Sequence, residues 1–374
     1  MKIGINLIAL YDEQGTGAFR YIKLLLKKMG DYNLIDCKFY IYKQKQISID
    51  YLDIPLNLNV EYINVPNVGR GFKRIIFEQT FFYFYLKKCD VFYSYCTSMP
   101  LFVRGKRAFT LHDIYYLTLK ERYGFLQRTY LYWFTKIYAK RSDIIFTVSN
   151  YSKKEIIAHL GVPEDKLIIT YNFLLSNSID NVSSKRTIVD IYGNILDNDA
   201  VFFLYVGNLQ PGKNIKGLVE GFKLFVEKNP DYYLVLVGKP AFQGESIIDY
   251  LKGRENVFYL GFQSRENLEY LYSKCIAVTL LSFCEGFGIP PLEGFNYGKP
   301  ALTSNATSLP EVVGKAGVLA DPYNVVSISN GFSVISANID ECAKHIPEQL
   351  DKFNADQVTK VFMEALGITY IEKQ

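Results

Sequence analysis

An apolar run, Ile276-Ala-Val-Thr-Leu-Leu281, empties into the glycine-rich segment Ser282-Phe-Cys-Glu-Gly-Phe-Gly288 and then into Ile289-Pro-Pro-Leu-Glu293. This stretch constrains the fold more than any other. The run has the length and β-branched content of a buried strand. Proline costs least at the first positions of a helix, so a helix starting at Pro290-Pro291 is expected, with Glu293 in its first turn. Strand, glycine loop and helix start in succession form half of a βα unit. In open α/β sheets, ligands sit at the carboxyl ends of strands.

The same alternation runs along the whole chain. In the first half, strand-like runs occur at Lys2–Leu10, Lys38–Tyr42, Val60–Val65, Asp90–Ser94, Ala108–Leu111 and Asp143–Val148, with helical periodicity over Ala18–Met29 and Lys73–Lys88. Ser149 is placed to cap a helix over Lys153–Leu160, which stops at Gly161. A second series has strands at Ala200–Val206, Tyr233–Val237, Val257–Tyr259, Ala301–Thr303 and Gly317–Leu319. Its helices are Ile215–Lys228, Glu245–Gly253 and Arg265–Lys274. Such alternation predicts parallel sheets covered by helices, and 374 residues suit two domains. The expected division is an N-terminal Rossmann-like domain over 1–178, a polar linker over 179–199 and a C-terminal Rossmann-like domain over 200–353. The last stretch, 354–374, carries a helix over Asn354–Ile368.

Composition narrows the class further. No window reaches the ~18 apolar residues a spanning helix needs. The start, Met1-Lys-Ile-Gly-Ile-Asn-Leu-Ile8, reads as a first strand rather than a signal peptide. Six cysteines are scattered without metal-ligand spacing, which predicts reduced thiols in a cytoplasmic protein. Residues 1–179 hold 25 Lys/Arg against 15 Asp/Glu, and residues 180–374 hold 17 against 23. A basic first half fits an anionic acceptor or peripheral contact with the inner face of a membrane, though a soluble domain with a basic face is the preferred reading of the charge alone. The run Phe77–Lys88 is aromatic on nearly every side, and such a helix is expected to be buried rather than laid in a bilayer interface.

Four segments are candidates for chemistry. Glu285 and Glu293, eight positions apart across the strand–helix junction, can reach different hydroxyls of one ligand while the backbone of Gly286, Phe287 and Gly288 faces phosphate, an arrangement suited to a nucleotide sugar. The bland alternative is a turn followed by an acid complementing the helix dipole. Tyr205-Val-Gly-Asn-Leu-Gln-Pro-Gly-Lys213 follows a strand, so Gly207, Asn208 and Lys213 approach a helix start where a diphosphate would sit. Thr110-Leu-His-Asp-Ile114 ends a strand with His112, a position where histidine is commonly structural. The turn Gln14-Gly-Thr-Gly-Ala-Phe-Arg20 offers Gly15 and Gly17 but lacks the third glycine of the dinucleotide fingerprint. Asp197-Asn-Asp199 has a metal-binding pattern in a place typical of turn chemistry, so no metal is assigned.

Glu285-Gly-Phe-Gly-Ile-Pro-Pro-Leu-Glu293 closely resembles the E-x7-E signature of retaining glycosyltransferases of the GT4 type, with the GT-B fold. Arg74-Ile-Ile-Phe-Glu-Gln79, His112-Asp113, Phe146-Thr-Val-Ser-Asn-Tyr-Ser-Lys153, the Lys213 loop and Asn305-Ala-Thr-Ser-Leu-Pro-Glu-Val-Val313 resemble that family's landmarks in order. The resemblance implies two Rossmann-like domains facing across a cleft, with the final helix crossing back to the first. It implies transfer of a sugar, with retention and without metal or other cofactor, from a UDP- or GDP-sugar to a glycan or lipid-linked acceptor in cell-surface polysaccharide synthesis. Nucleic acid is not an implied partner. Lys213 would neutralise the leaving diphosphate, His112 would contact the sugar near its C6 hydroxyl, Glu285 would bind sugar hydroxyls and Glu293 the ribose. Gly15 and Gly17, with Arg20 a lesser candidate, would lie against phosphates and acceptor. The chain departs from the family where Asn208 replaces a common arginine and Gly212 precedes the lysine, so backbone N–H groups, Asn208 or Lys216 would share the cationic task. An epimerase-like GT-B enzyme and a non-catalytic GT-B subunit are the alternatives.

Overall fold

The computed structural model describes residues 1–13, 16–118, 123–175, 186–197 and 199–373. The chain divides into two compact units, Met1–Leu175 with Phe353–Gln374, and Ser176–Lys352. The first holds a seven-stranded parallel sheet. Its strands run in the order Val60–Val65, Lys38–Gln44, Lys2–Asn6, Val91–Ser94, Lys106–Thr110, Ile144–Thr147 and Leu167–Ile169. The chain builds outward from Lys2–Asn6 on one side, then returns and builds the other way from Val91–Ser94. Helix Gly17–Met29 starts where the Thr16 hydroxyl accepts from Phe19 N at 3.3 Å, and it buries Phe19, Ile22, Leu25, Leu26 and Met29 along one stripe. Ser149 caps helix Asn150–Leu160 by accepting from Ser152 N at 3.0 Å, and Gly161 ends it at φ 64°. The C-terminal helix Ala355–Leu366 packs in this unit, with Phe362 edge-on to Tyr93 at 5.1 Å.

The second unit repeats the design with six parallel strands, in the order Val257–Tyr259, Tyr232–Val237, Val201–Val206, Ala277–Leu280, Ala301–Ser304 and Gly317–Ala320. Its reversal falls between Val201–Val206 and Ala277–Leu280. On one face, Phe203 meets Phe332 at 4.8 Å and Phe225 at 5.9 Å, anchoring helices Ile215–Val226 and Val325–Ala337. Burying one such ring contributes about 1.5–3 kcal/mol.

Four expectations need correction. Helix 73–88 breaks: Phe72–Gln79 is helical, Thr80 adopts φ −120° and ψ −70°, and Phe81–Tyr85 form a 3-10 turn. The Thr80 hydroxyl bonds the Ile76 carbonyl at 2.7 Å, a local competitor of helix propagation. The aromatic run is not wholly buried either, since Phe77 and Phe82 face the core while Phe81, Tyr83 and Phe84 are exposed. The segment read as a linker holds an antiparallel hairpin, Ile188–Val189 with Ile195–Leu196, whose Ile188 and Leu196 are buried in the second unit's core beside Phe202. Finally, helix Ile289–Asn296 starts one residue earlier than expected, so Glu293 is its fifth residue and lies beyond the first turn.

Candidate functional site

Reversal points of doubly wound sheets leave a crevice at the carboxyl ends of the two strands that part there. In the second unit those strands are Val201–Val206 and Ala277–Leu280, and their following loops carry Lys213 and Glu285. The structure joins the two: Lys213 Nζ donates to Glu285 Oε1 at 2.5 Å, with the side chains 22% and 12% exposed. The Ser282 hydroxyl donates to the same oxygen at 2.7 Å.

Backbone geometry explains how these loops can meet. A Cβ on Gly238 would fall 1.9 Å from the Gly207 carbonyl oxygen, so the turns after two neighbouring strands touch main chain to main chain. Phe283 N donates to the Gly212 carbonyl at 3.1 Å, tying the Glu285 loop to the Lys213 loop. Lys213 ends a 3-10 turn, Pro211–Lys213, and Asn214 follows in the left-handed region at φ 54°. The Asn214 amide fixes that bend by donating to the Pro322 carbonyl at 2.7 Å.

The glutamate loop is held from the next strand's loop. Thr307 Oγ1 accepts from Glu285 N at 3.0 Å, and Ser308 Oγ shares its one proton between the carbonyls of Glu285 at 2.7 Å and Phe287 at 2.9 Å. Thr307 sits at φ 57°, a costly conformation for a β-branched residue, which the surrounding bonds over-determine. Gly286 is half-buried and Phe287 is buried. Gly288 takes φ 112° where a Cβ would meet Leu309 Cδ2 at 2.5 Å, so glycine is required on both counts. Glu293 accepts from the buried Tyr272 hydroxyl at 2.7 Å, and the Tyr272 ring stacks on Tyr297 at 5.7 Å.

Residues 193–351 match the family of glycosyl transferases group 1, and residues 56–174 match Glycosyltransferase Family 4. The chain belongs to the GT4-type glycosyltransferases. It is 34% identical over 225 residues to the O-antigen chain mannosyltransferase B of Escherichia coli, a stretch covering 59% of this chain and 58% of that protein. The chain thus spans less than two thirds of this curated relative. Identity to the O-antigen chain mannosyltransferase RfbU of Salmonella typhimurium is 26%, over 94% of this chain and 93% of the other. Among solved structures, that of Anabaena Alr3699/HepE in complex with UDP and glucose superposes with a TM-score of 0.68 at 16% identity, covering 98% of this chain and 99% of that one. The GT-B fold of the family is therefore the fold of this chain.

Seen as a GT4-type chain, the sequence candidates fall into groups. Lys213 and Glu285 are brought into contact, with Gly286, Phe287 and Gly288 on the same loop. Asn208 is exposed, and its carbonyl accepts from the Tyr205 hydroxyl at 3.1 Å; burial pushes that phenol well up, so it stays a donor. Gly15 lies outside the described residues. Gly17 opens helix Gly17–Met29 with empty space where a Cβ would be. His112 lies in the first unit, half-buried, with Nε2 at 3.2 Å from the Tyr95 carbonyl and its ring edge-on to Tyr21 at 5.3 Å. Burial holds its pKa down to about 4, so the ring is neutral near pH 7. A neutral ring facing a carbonyl carries its proton on Nε2, which makes Nδ1 an acceptor. Asp197 Oδ1 accepts from Asp199 N at 2.9 Å, a local turn. Among the described residues, no group of three or more His, Cys, Asp or Glu side chains is placed to hold a metal.

Sequence reasoning missed Ser282, Thr307, Ser308 and Tyr272. Thr307-Ser308 stands inside the Asn305–Val313 landmark, so the signal was present without a role attached. Tyr272, in helix Arg265–Lys274, carried no signal that separates it from a core tyrosine.

Proposed function

We propose that this chain is a retaining, metal-independent glycosyltransferase that moves a sugar from a nucleoside diphosphate sugar to a hydroxyl of a glycan or lipid-linked glycan in cell-surface polysaccharide synthesis. The observation that carries the reading is the Lys213–Glu285 contact at the reversal point of the second sheet. The names of the curated relatives support an O-antigen-like product and mannose as the transferred sugar.

The chemistry follows from charge. Both contacts to the Glu285 carboxylate fall on Oε1, which leaves Oε2 for sugar hydroxyls near the positive charge that develops at the anomeric carbon. The three protons of the Lys213 ammonium allow it to keep Glu285 while donating to the departing diphosphate. Glu293, steadied by Tyr272, takes the ribose diol. His112 Nδ1 accepts from a sugar hydroxyl. In front-face attack the acceptor oxygen bonds to the anomeric carbon as the carbon–phosphate oxygen bond breaks, and the leaving phosphate takes the acceptor proton.

A thermal-shift panel of UDP- and GDP-sugars, followed by transfer assays in EDTA with the product's anomeric configuration read by NMR, tests the reading. Stabilisation by one donor, transfer in EDTA and retention are expected. Epimer or free sugar produced without any acceptor would favour the epimerase-like alternative, and no binding to any donor would favour a non-catalytic subunit.

A further inference from the structure

We propose that one outer face of the first unit, built from residues 72–88, 99–106 and 125–141, docks on the surface of an anionic phospholipid bilayer. The consequence for the acceptor rests on the function proposed above: a lipid-anchored acceptor would be presented to the loops at the carboxyl ends of the first sheet.

Charge is the first observation. Residues 66–141 hold 14 Lys/Arg against 4 Asp/Glu, while the rest of residues 1–179 hold 11 of each, so the whole basic excess of that half falls in this window. One of the four acids, Glu78, is buried and already paired with Arg74 at 2.9 Å.

Apolar exposure is the second, and it falls in the same window. In helix Phe125–Arg141, Leu126, Tyr130, Trp133 and Ile137 recur at i, i+4, i+7 and i+11, which is one side of a helix. Leu126, Trp133 and Ile137 on that side are exposed, with Leu126 at 82%, whereas Thr135, Tyr138 and Ala139 face the core. The helix carries no acidic residue and ends in Lys140 and Arg141. On the neighbouring segments, Phe72, Phe84 and Phe102 are exposed, beside Lys73, Lys87 and Lys88.

The three segments pack against one another. Gln79 donates to the Met99 carbonyl at 3.0 Å and to the Tyr138 hydroxyl at 3.2 Å, and it accepts from Leu101 N at 3.1 Å. Single exposed apolar side chains are ordinary, but a joined patch of aromatic, aliphatic and basic groups marks an interaction site. A surface for a protein partner is depleted in lysine. Cationic surfaces with Trp, Phe and Leu suit the boundary between headgroups and acyl chains, and anionic headgroups complement the excess charge. No described helix is long and apolar enough to cross a membrane, so the contact is peripheral.

Trp133 is the chain's single tryptophan, so its emission reports directly on the face. With vesicles of phosphatidylcholine and phosphatidylglycerol, the emission should shift to the blue, be quenched by brominated acyl chains and recover at high salt. Pure phosphatidylcholine should do little. Lys88→Glu with Lys140→Glu should weaken vesicle partition about tenfold or more, and Leu126→Glu should abolish the shift. The nucleotide-sugar thermal shift, measured on the same variants, reports folding and the donor site separately. Docking without a donor shift would count against the function reading alone. Unchanged Trp133 emission in folded protein with anionic vesicles would overturn the docking proposal. So would a lipid-free blue shift that grows with protein concentration alongside a dimer in sedimentation, which assigns the face to a second copy.

Discussion

Both units wind their sheets in the same order and reverse at the strand that opens them, yet the two reversal points are furnished differently. In the first unit, Glu78 is buried and takes the Asn6 amide at 2.6 Å and Arg74 at 2.9 Å, while Arg74 also reaches Ser98 Oγ at 2.5 Å and Asn6 reaches Ser94 at 3.2 Å. The charges there are consumed in pinning helix Phe72–Gln79 to the ends of two strands. In the second unit the ion pair is partly open, Gly212 and Gly286 adjoin its two residues in sequence, and its glutamate loop is held by the Thr307 and Ser308 hydroxyls bonding main-chain atoms. One topology thus supplies the same crevice twice. The side chains decide whether it is filled by a buried network or holds an ion pair that is partly open.

That contrast is broken most directly at Lys213. Lys213→Ala should lower turnover by about 10²–10³-fold, the cost of losing one charge stabiliser. Stability should fall by less than the ~3–5 kcal/mol of breaking a fully buried pair, because both side chains keep some contact with water. A rate close to wild type in a transfer assay would remove the lysine from the chemistry. A large stability loss in urea titration would make the second pair structural like the first.

Glu78→Gln reverses the expectation. It leaves the Arg74 charge buried without its carboxylate and should cost about 3–5 kcal/mol in urea titration. Donor affinity of the protein that remains folded should not move. A smaller effect follows from Glu293→Ala, which should weaken nucleotide binding by about tenfold to a hundredfold, the range for hydrogen bonds to a charged group. Calorimetry that returns the wild-type affinity would separate Glu293 from the ribose.

The legible parts of the molecule were those where local pattern and tertiary demand agree. Strands such as Val201–Val206 and Ala277–Leu280 are apolar on both faces, because helices cover both sides of the sheet, and they read as continuous runs. Helix Arg265–Lys274, capped by Ser264, was legible to the residue. Helix Phe125–Arg141 was not read, because it exposes an apolar stripe as well as burying part of another side, and no single amphipathic period survives. The Phe72–Tyr85 break was illegible for a similar reason: aromatic residues fill both the buried and the exposed rows. In the site, Lys213 and Glu285 were visible as residue types at the right junctions. Ser282, Ser308 and Tyr272 act through contacts that only the fold creates, and a serine or tyrosine alone carries no spacing signal.

His112 gives the finest test of the contrast, since it asks whether a half-buried ring at the carboxyl end of the first sheet is held neutral, as its proposed acceptor role requires. Its pKa stands near 4 against an ordinary 6.5 because burial beside Tyr21 and Tyr95 disfavours the imidazolium. As pH falls through 6.5 the unfolded chain takes up a proton that the folded chain refuses until about pH 4. Stability should therefore decline with falling pH only within that window, by up to about 1.4 kcal/mol per pH unit, and this contribution should be flat above and below it. Carboxylates titrate in part of the same range, so the informative quantity is the difference between wild type and His112→Gln in urea midpoint against pH. A difference that slopes between pH 6.5 and 4 shows the ring neutral near pH 7, with Nδ1 free of a proton and able to accept. A flat difference means that the ring titrates as it does in the unfolded chain, and it would then not serve as a fixed neutral acceptor at the edge of the first sheet.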